Sequence, residues 1–395
     1  MANKNRKFSI AAADTKKNQT ETEALNADAS KPFLEGTVLH AFSGLYEVDV
    51  REGLRLDETL SAAFNAVHKP QTSDEARGLL AQKDGSDFDD DIDDDEYSFE
   101  RDTLLCTVSG KLKIGKRVLS QVVAAGDRVR VRWLDTFGPN TRRQRMREGY
   151  IEEVLPRVTT LGRSRFNKSG QVTVANLDQV VVVMSLREPA LNTHRLDRFL
   201  VLAESCDLRA VICLNKADML AKRVLNQETK PLKKLYESLG YRVLIVSAET
   251  DLGIKEVRQE MSGHISAFVG SSGVGKSSLV NAIQPGLHLW VGDVMEIGKG
   301  RHTTTDVSLH RLDGGGYLAD TPGIKTVSLF ERQEVDLAQC FPEFRAFENG
   351  CRFNNCTHLH EPGCAVREAV EAKTVNAARY ESYKRIAEDK EPALY

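Results

Sequence analysis

The sequence predicts an α/β domain built on a mostly parallel sheet, preceded by a small β-barrel of the OB type and followed by a small helical domain organised around a metal ion. Three observations carry this expectation. Between residues 36 and 155 lie five short strand-like runs with glycine-containing turns. From about residue 176, runs of Val, Ile and Leu alternate with helical stretches. Toward the C-terminus, three cysteines and a histidine fall within 14 residues.

The first part opens with a polar arm, residues 1–34, poor in aromatics and expected to be disordered. Residues 36–50, "GTVLHAFSGLYEVDV", alternate around a central Ser-Gly, as two strands and a tight turn would. Strands resume at "TLLCTVSGKLKIG" (103–115), "DRVRVRWL" (127–134) and "EGYIEEVL" (148–155), so the barrel is expected over 35–160. Residues 54–100 then form an excursion from one barrel loop, where added length costs little closure entropy. That excursion holds "DFDDDIDDDE" (87–96); setting its eight negative charges aside from the net −3 leaves the rest of the chain at +5. Basic residues gather at 111–117, 141–147 and 162–170, which suits a polyanion such as nucleic acid.

The chain of 395 residues has room for two or three domains. No run approaches 18 apolar residues, and the N-terminus has basic residues but no apolar h-region, so a cytoplasmic protein without a membrane partner is expected. Seven cysteines, three of them between 351 and 364, suit metal binding better than a disulfide framework.

The α/β domain is expected over 161–329. Buried parallel strands read as continuous apolar runs, and ligands sit at their carboxyl ends. "GSSGVGKSS" after the strand "HISAFV" is a phosphate loop, comprising Gly270, Ser271, Ser272, Gly273, Val274, Gly275, Lys276, Ser277 and Ser278. Its backbone N–H groups would curl around a β-phosphate, Lys276 would neutralise phosphate oxygens, and Ser277 would offer a hydroxyl to Mg²⁺.

"NKAD" ends the strand "AVICL" and supplies Asn215, Lys216, Ala217 and Asp218. A carboxylate at Asp218 can accept from N1–H and the 2-amino group of guanine, an edge that adenine lacks. Asn215 can bridge base and phosphate loop, and the Lys216 stem can cover the ring. In "SAET", the Ala248 N–H would meet guanine O6 and Ser247 would brace the loop. "DTPG" (320–323) would hold Mg²⁺ through Asp320 and the γ-phosphate through the Gly323 N–H. In "GKGRHTTTD" (298–306), Thr304 or Thr305 would complete the Mg²⁺ shell.

Many GTPases run phosphate loop, Thr loop, DxxG, NKxD, SAx. This chain runs NKAD, SAE, phosphate loop, Thr loop, DTPG, the same cycle cut elsewhere. The expected domain is therefore a circularly permuted P-loop GTPase, a rearrangement tolerated when termini lie close together.

The C-terminal domain is expected over 330–395. Cys351, Cys356, His358 and Cys364 form C-x4-C-x-H-x5-C, the donor set of one closed structural Zn²⁺ site, with His360 as an alternative to His358. "AVREAVEAKTVNAARYESYKRIAED" (365–389) follows as a charged amphipathic stretch suited to packing.

This order of motifs, preceded by the barrel and followed by C-x4-C-x-H-x5-C, resembles the ribosome small subunit-dependent GTPase A family (RsgA/YjeQ) over about residues 35–390. The resemblance implies a GTP/GDP-binding hydrolase, expected to be monomeric, that acts late in maturation of the 30S ribosomal subunit. It also implies that the barrel and zinc domain contact 16S rRNA, and that GTP hydrolysis releases the protein. The arm and the excursion at 54–100 have no counterpart in it.

Where many GTPases place a water-orienting glutamine after DxxG, this chain has Ile324, which cannot hydrogen-bond. His302 is the local candidate to position water, and the resemblance points to the same histidine; a ribosomal group is the alternative. Slow intrinsic turnover with strong stimulation by the subunit follows. Two other classes are an RNA-binding module with a structural nucleotide site, against which Lys276, Ser277 and Asp320 argue, and a P-loop ATPase or kinase, against which NKAD and SAE argue.

Overall fold

The computed structural model describes residues 33–42, 44–56, 59, 61–62, 64, 102–109, 123–138, 146–163, 171–287, 307–320 and 336–388. The acidic run, nearly all of the N-terminal arm and most of the three basic clusters lie outside these residues. The chain divides into two compact units, Met1–Val118 with Arg128–Pro156, and Leu119–Asp127 with Arg157–Tyr395. No helix among the described residues is long and apolar enough to cross a membrane.

The first unit is a five-stranded barrel. Strands β1 (Leu34–Phe42) and β2 (Leu45–Asp49) form the expected hairpin, with Phe42 opposite Leu45 and Gly44 in the left-handed conformation at its turn. Helix α1 (Arg51–Leu56) follows, then β3 (Thr103–Val108), β4 (Arg128–Gly138) and β5 (Met146–Val154). β3 pairs antiparallel with β2 and parallel with β5, β5 runs antiparallel to β4, and β4 returns antiparallel to β1. The ring β1-β2-β3-β5-β4 has the OB-type order, and closure leaves no open edge.

Alternation along β4 shows why the ring forms. Val129, Val131 and Trp133 are buried, while Arg128 and Arg130 are exposed and Arg132 is half-buried. The outward arginines meet carboxylates on neighbouring strands, Arg130 lying 3.5 Å from Glu35 and 2.9 Å from Glu153.

Two features depart from the sequence reading. The excursion expected to begin at 54 starts inside the core, because Leu54 and Phe64 are buried and Phe64 packs edge-on against Trp133. Arg147, read as part of a basic cluster, is buried too: its guanidinium lies 4.3 Å from the Phe64 ring centroid and donates to the Phe64 carbonyl. A flat cation with an apolar stem can satisfy both neighbours at once.

In the second unit, β6 (Thr160–Arg163) and β7 (Gln171–Ala175) form an antiparallel pair. Beside it, the buried Asp127 carboxylate takes two bonds from Arg157, at 2.6 and 2.7 Å, and one from the Ala124 N–H. The Asn176 side chain donates to the Gly126 carbonyl and accepts from Val158 N–H. These contacts group 123–127 with the second unit although β4 begins at the next residue.

The main sheet is built from β8 (Gln179–Ser185), β9 (Arg209–Asn215), β10 (Arg242–Ile245), β11 (Ile265–Val269), β12 (Ser308–Arg311) and β13 (Tyr317–Asp320). Their order is β10-β9-β8-β11-β13-β12, parallel throughout except for β12. All seven residues of β8 are buried, as a central parallel strand requires. The chain moves from β8 outward to β10 and then returns to the other side of β8 at β11. The switch point between β8 and β11 is where such sheets bind ligands.

Helices α2 (Thr193–Ser205), α3 (Lys222–Ser238), α4 (Ile254–Met261) and α5 (Lys276–Ile283) accompany the sheet. A core of Val181, Val183, Val211, Leu244, Val257, Leu279 and their neighbours joins the strands to α4 and α5. The C-terminal part carries α6 (Ala365–Glu371) and α7 (Ala377–Glu388). Its core, including Phe341, Phe344, Val366, Tyr383 and Ile386, extends to Val201 of α2.

A buried polar cluster fastens α7 to α2. Arg379 and Asp197 are each 1% exposed and 2.6 Å apart, Arg379 also contacts Glu343 at 2.8 Å, and Tyr236 of α3 donates to Asp197. Burial works against the Arg379 charge, but its bonds to Glu343 and the Asp197 charge outweigh burial and hold its pKa above the usual range. Removing one partner of such a cluster strands the others in an apolar surround. Arg379→Met is expected to cost about 3–5 kcal/mol, read as loss of amide-exchange protection over 377–388 ahead of β8 and β9; equal protection in both regions would show that the apolar contacts alone hold α7.

Candidate functional site

The phosphate loop lies at the carboxyl end of β11 and runs into α5, so the expected residues Gly270 to Ser278 form a strand–loop–helix turn. Two glycines are sterically required. A Cβ on Gly270 would lie 2.3 Å from the Val183 carbonyl oxygen, and one on Gly275 would lie 2.5 Å from Asn215 Nδ2. Gly275 also has φ 88°, a left-handed conformation that favours glycine. Lys276 curls back over the loop and donates from Nζ to the carbonyls of Gly270 and Ser271, 2.8 Å each. Ser277 is half-buried on the first turn of α5, while Ser272, Gly273 and Ser278 are exposed and Val274 is buried.

The Asn215–Asp218 segment reaches this loop from the other side of β8. Asn215, 2% exposed at the end of β9, donates from Nδ2 to the carbonyls of Val274 and Gly275 at 2.9 and 3.4 Å. Lys216 adopts a left-handed conformation, φ 62°, and Ala217 N–H bonds to the Val246 carbonyl. Asp218 is exposed, and the buried Ser247 hydroxyl donates to its Oδ1 at 2.5 Å. The same hydroxyl accepts from Thr250 N–H, so Ser247 braces both its own loop and the carboxylate. Ala248 is half-buried next to it.

The sequence reading did not assign the loop after β8. Lys216 Nζ donates to the Glu188 carbonyl, and Pro189 Cδ lies 3.6 Å from where a Gly273 Cβ would stand. The Ser185 hydroxyl donates to the Pro189 carbonyl, and Arg187 makes a two-pronged pair with Glu228 of α3. The Lys216 and Ser185 bonds go to backbone carbonyls and carry no motif; the one available signal was the position of "LREPAL" at the end of a central strand.

Asp320 is half-buried at the carboxyl end of β13, beside β11. His302, Thr304, Thr305, Gly323 and Ile324 lie outside the described residues.

In the C-terminal part, Cys351, Cys356, His358 and Cys364 bring their ligand atoms within 4.8 Å of one another. Cys351 Sγ lies 3.5 Å from His358 Nδ1 and 4.0 Å from Cys364 Sγ, and His358 Nδ1 is 3.4 Å from Cys364 Sγ. Tetrahedral zinc would set S···S and S···N edges of about 3.8 and 3.6 Å, so the donor set and its spacing fit the ion. His358 is buried among these atoms, whereas His360 is exposed.

Around this cluster the Glu361 carboxylate accepts from Thr357 Oγ1 and N–H and from the N–H groups of Leu359 and His360. Those bonds, the Thr357 hydroxyl first, hold its pKa well below the usual carboxylate range. Tyr383 and Tyr380 of α7 donate to the carbonyls of Thr357 and His358, tying the ligand loop to the helical core.

Two segments separated in sequence thus converge on one switch point: a phosphate loop running into a helix N-terminus, and the Asn-Lys-x-Asp segment with Ser247 bonded to its aspartate. With the motif order found in the sequence, these define a circularly permuted P-loop GTPase. The family description "RsgA GTPase" matches residues 154–330. The chain is 42% identical over 279 residues to "Small ribosomal subunit biogenesis GTPase RsgA" of Moorella thermoacetica, covering 70% of this chain and 87% of that protein. "Small ribosomal subunit biogenesis GTPase RsgA 2" of Bacteroides thetaiotaomicron is 35% identical, covering 81% of this chain and 98% of the other. Among solved structures, YjeQ from Thermotoga maritima superposes with a TM-score of 0.59 at 30% identity, over 90% of this chain and 97% of that one. YloQ, described as "a circularly permuted GTPase", gives 0.59 at 26% identity, over 91% and 95%. The chain belongs to the RsgA GTPase family.

The ligand loop generates a direct test. Glu361→Ala is expected to weaken zinc affinity about 10–100-fold, measured by chelator competition; unchanged affinity would mean that the loop holds its shape without the carboxylate.

Proposed function

We propose that this chain binds and hydrolyses GTP in the maturation of the small ribosomal subunit, docking on the 30S particle and its 16S rRNA and leaving when GTP is spent. The observation that carries the nucleotide half is the bond from Asn215 to Val274, which puts the base-reading and phosphate-reading segments in one site. The ribosomal half is supported by relatives whose names place them in small-subunit biogenesis. A protein that works there acts in the cytoplasm.

Each candidate then has a role. Asp218, with one oxygen already held by Ser247, reads N1–H and the 2-amino group of guanine. The Ala248 N–H meets O6, Lys216 covers the ring from its anchor on Glu188, and Asn215 ties base to phosphate loop. The N–H groups of residues 270–278 and the Lys276 ammonium take the phosphates. Ser277, Asp320 and Thr304 or Thr305 would hold Mg²⁺, which supplies charge neutralisation between β- and γ-phosphates. The Gly323 N–H meets the γ-phosphate, and His302 orients the attacking water where Ile324 cannot. Zinc on Cys351, Cys356, His358 and Cys364 is structural, since four protein donors leave no open position.

Asp218→Asn tests the base assignment. It presents an amide N–H₂ to the guanine edge in place of an acceptor, so GTP affinity should fall on the order of 10⁴-fold while xanthosine triphosphate gains. Retained GTP preference, measured by nucleotide competition, would remove Asp218 from base recognition.

A further inference from the structure

Helix α3 carries five basic residues, Lys222, Arg223, Lys230, Lys233 and Lys234, and two acidic ones, Glu228 and Glu237. At 3.6 residues per turn the five cations share an arc of about 120° and span about 18 Å from Lys222 to Lys234. Thr229 and Tyr236 are buried about 20–40° beyond the Lys222 edge of that arc, and Glu237 lies within it. Lys222, Arg223, Lys230 and Lys234 are exposed.

Four of the five stand on one helix without an ion-pair partner among the described residues. Both acids are engaged, Glu228 with Arg187 and Glu237 with Lys233 at 3.6 Å. None of the other four cations has a carboxylate within ion-pair distance among the described residues. Elsewhere several surface cations are answered, Arg128 and Arg130 by Glu35, Arg209 and Arg242 by Glu260, Arg345 by Glu204, Lys384 and Arg385 by Glu381; Arg55, Arg195, Lys255 and Lys373 are exposed without an ion pair among the described residues, but no two of them share a helix.

The stripe also works against its own helix. Lys222 and Arg223 occupy the first turn, where the macrodipole favours anions, and no acid is present there. Lys230 and Lys234 are like charges at i,i+4, which repel. Local rules broken without a folding gain are expected at functional surfaces.

We propose that this face of α3 is a docking surface for the phosphate backbone of structured RNA, contributed by the GTPase domain itself. The proposal rests on the ribosomal reading above, which supplies the polyanion. An uncompensated row of flexible ammonium and guanidinium groups suits phosphates, which fix position without reading sequence. α3 begins four residues after Asp218, so the Lys222 end of the stripe lies close in sequence to the Asn215–Asp218 segment.

The test compares the full-length protein with a quadruple variant, Lys222→Ala, Arg223→Ala, Lys230→Ala and Lys234→Ala, and with a charge-keeping one, Lys222→Arg, Arg223→Lys, Lys230→Arg and Lys234→Arg. Binding to 30S subunits and to naked 16S rRNA is measured between 50 and 200 mM salt, alongside GTP hydrolysis without subunits. Four lost phosphate contacts should flatten the slope of log affinity against log salt by about 3, so that the wild type loses roughly sixty-fold more affinity than the alanine variant over that range. The charge-keeping variant should follow the wild type, and basal hydrolysis should be equal in all three. Wild-type binding with an unaltered slope in the alanine variant would overturn the docking surface and leave the ribosomal reading standing. A slope change on subunits but not on naked rRNA would assign the face to an acidic ribosomal protein and overturn the RNA assignment. No wild-type binding to subunits at any salt would overturn the ribosomal reading and the inference with it.

Discussion

The hydrogen bond from Asn215 to the Val274 carbonyl is the constraint on which the site depends. Its partners are 59 residues apart, and only the sheet brings them together: β8 lies between β9 and β11, with Ser185 opposite Asn215 and Val182 opposite Val269. Everything near the bond is shaped to allow it. Gly275 lacks the Cβ that would strike Asn215, and the buried apolar strands fix the height at which both loops emerge. Because the requirement is spatial, the chain order is free, and a cycle cut before β8 satisfies it as well as one cut before the phosphate loop.

The cut changes what the site is connected to. In this order the strand ending in Asp320 is followed, among the described residues, by the C-terminal part rather than by further sheet. That part is fastened elsewhere, by Arg379 to Asp197 on α2 and by Arg345 to Glu204 on the same helix. α2 in turn is capped by Asn192, three residues after Pro189, in the loop that carries the Lys216 anchor. The C-terminal part is therefore linked to the nucleotide site through packed side chains as well as through the chain that follows Asp320.

Much of this was legible in the sequence because it is written in short patterns. The parallel strands declared themselves as apolar runs, the phosphate loop as spaced glycines before Lys-Ser, and the ligand cluster as cysteine spacing. What escaped depends on partners far away in the chain. Arg147 and Arg379 look like surface charges in their local contexts, yet one is buried on Phe64 and the other against a carboxylate 182 residues distant. Phe64 sits in a stretch whose composition suggests an excursion, and its burial follows from Trp133. The Glu188 carbonyl could not be found at all, since any residue supplies one. The choice between His358 and His360, open in the sequence, turned on burial.

The central claim is a guanine-specific hydrolase completed by its ribosomal partner. Phosphate release from GTP and from ATP, by the purified protein with and without 30S subunits at fixed salt, tests it most directly. Slow turnover of GTP alone that rises steeply with subunits, and none with ATP, is the expected result; ATP turnover, or GTP turnover indifferent to subunits, would contradict it.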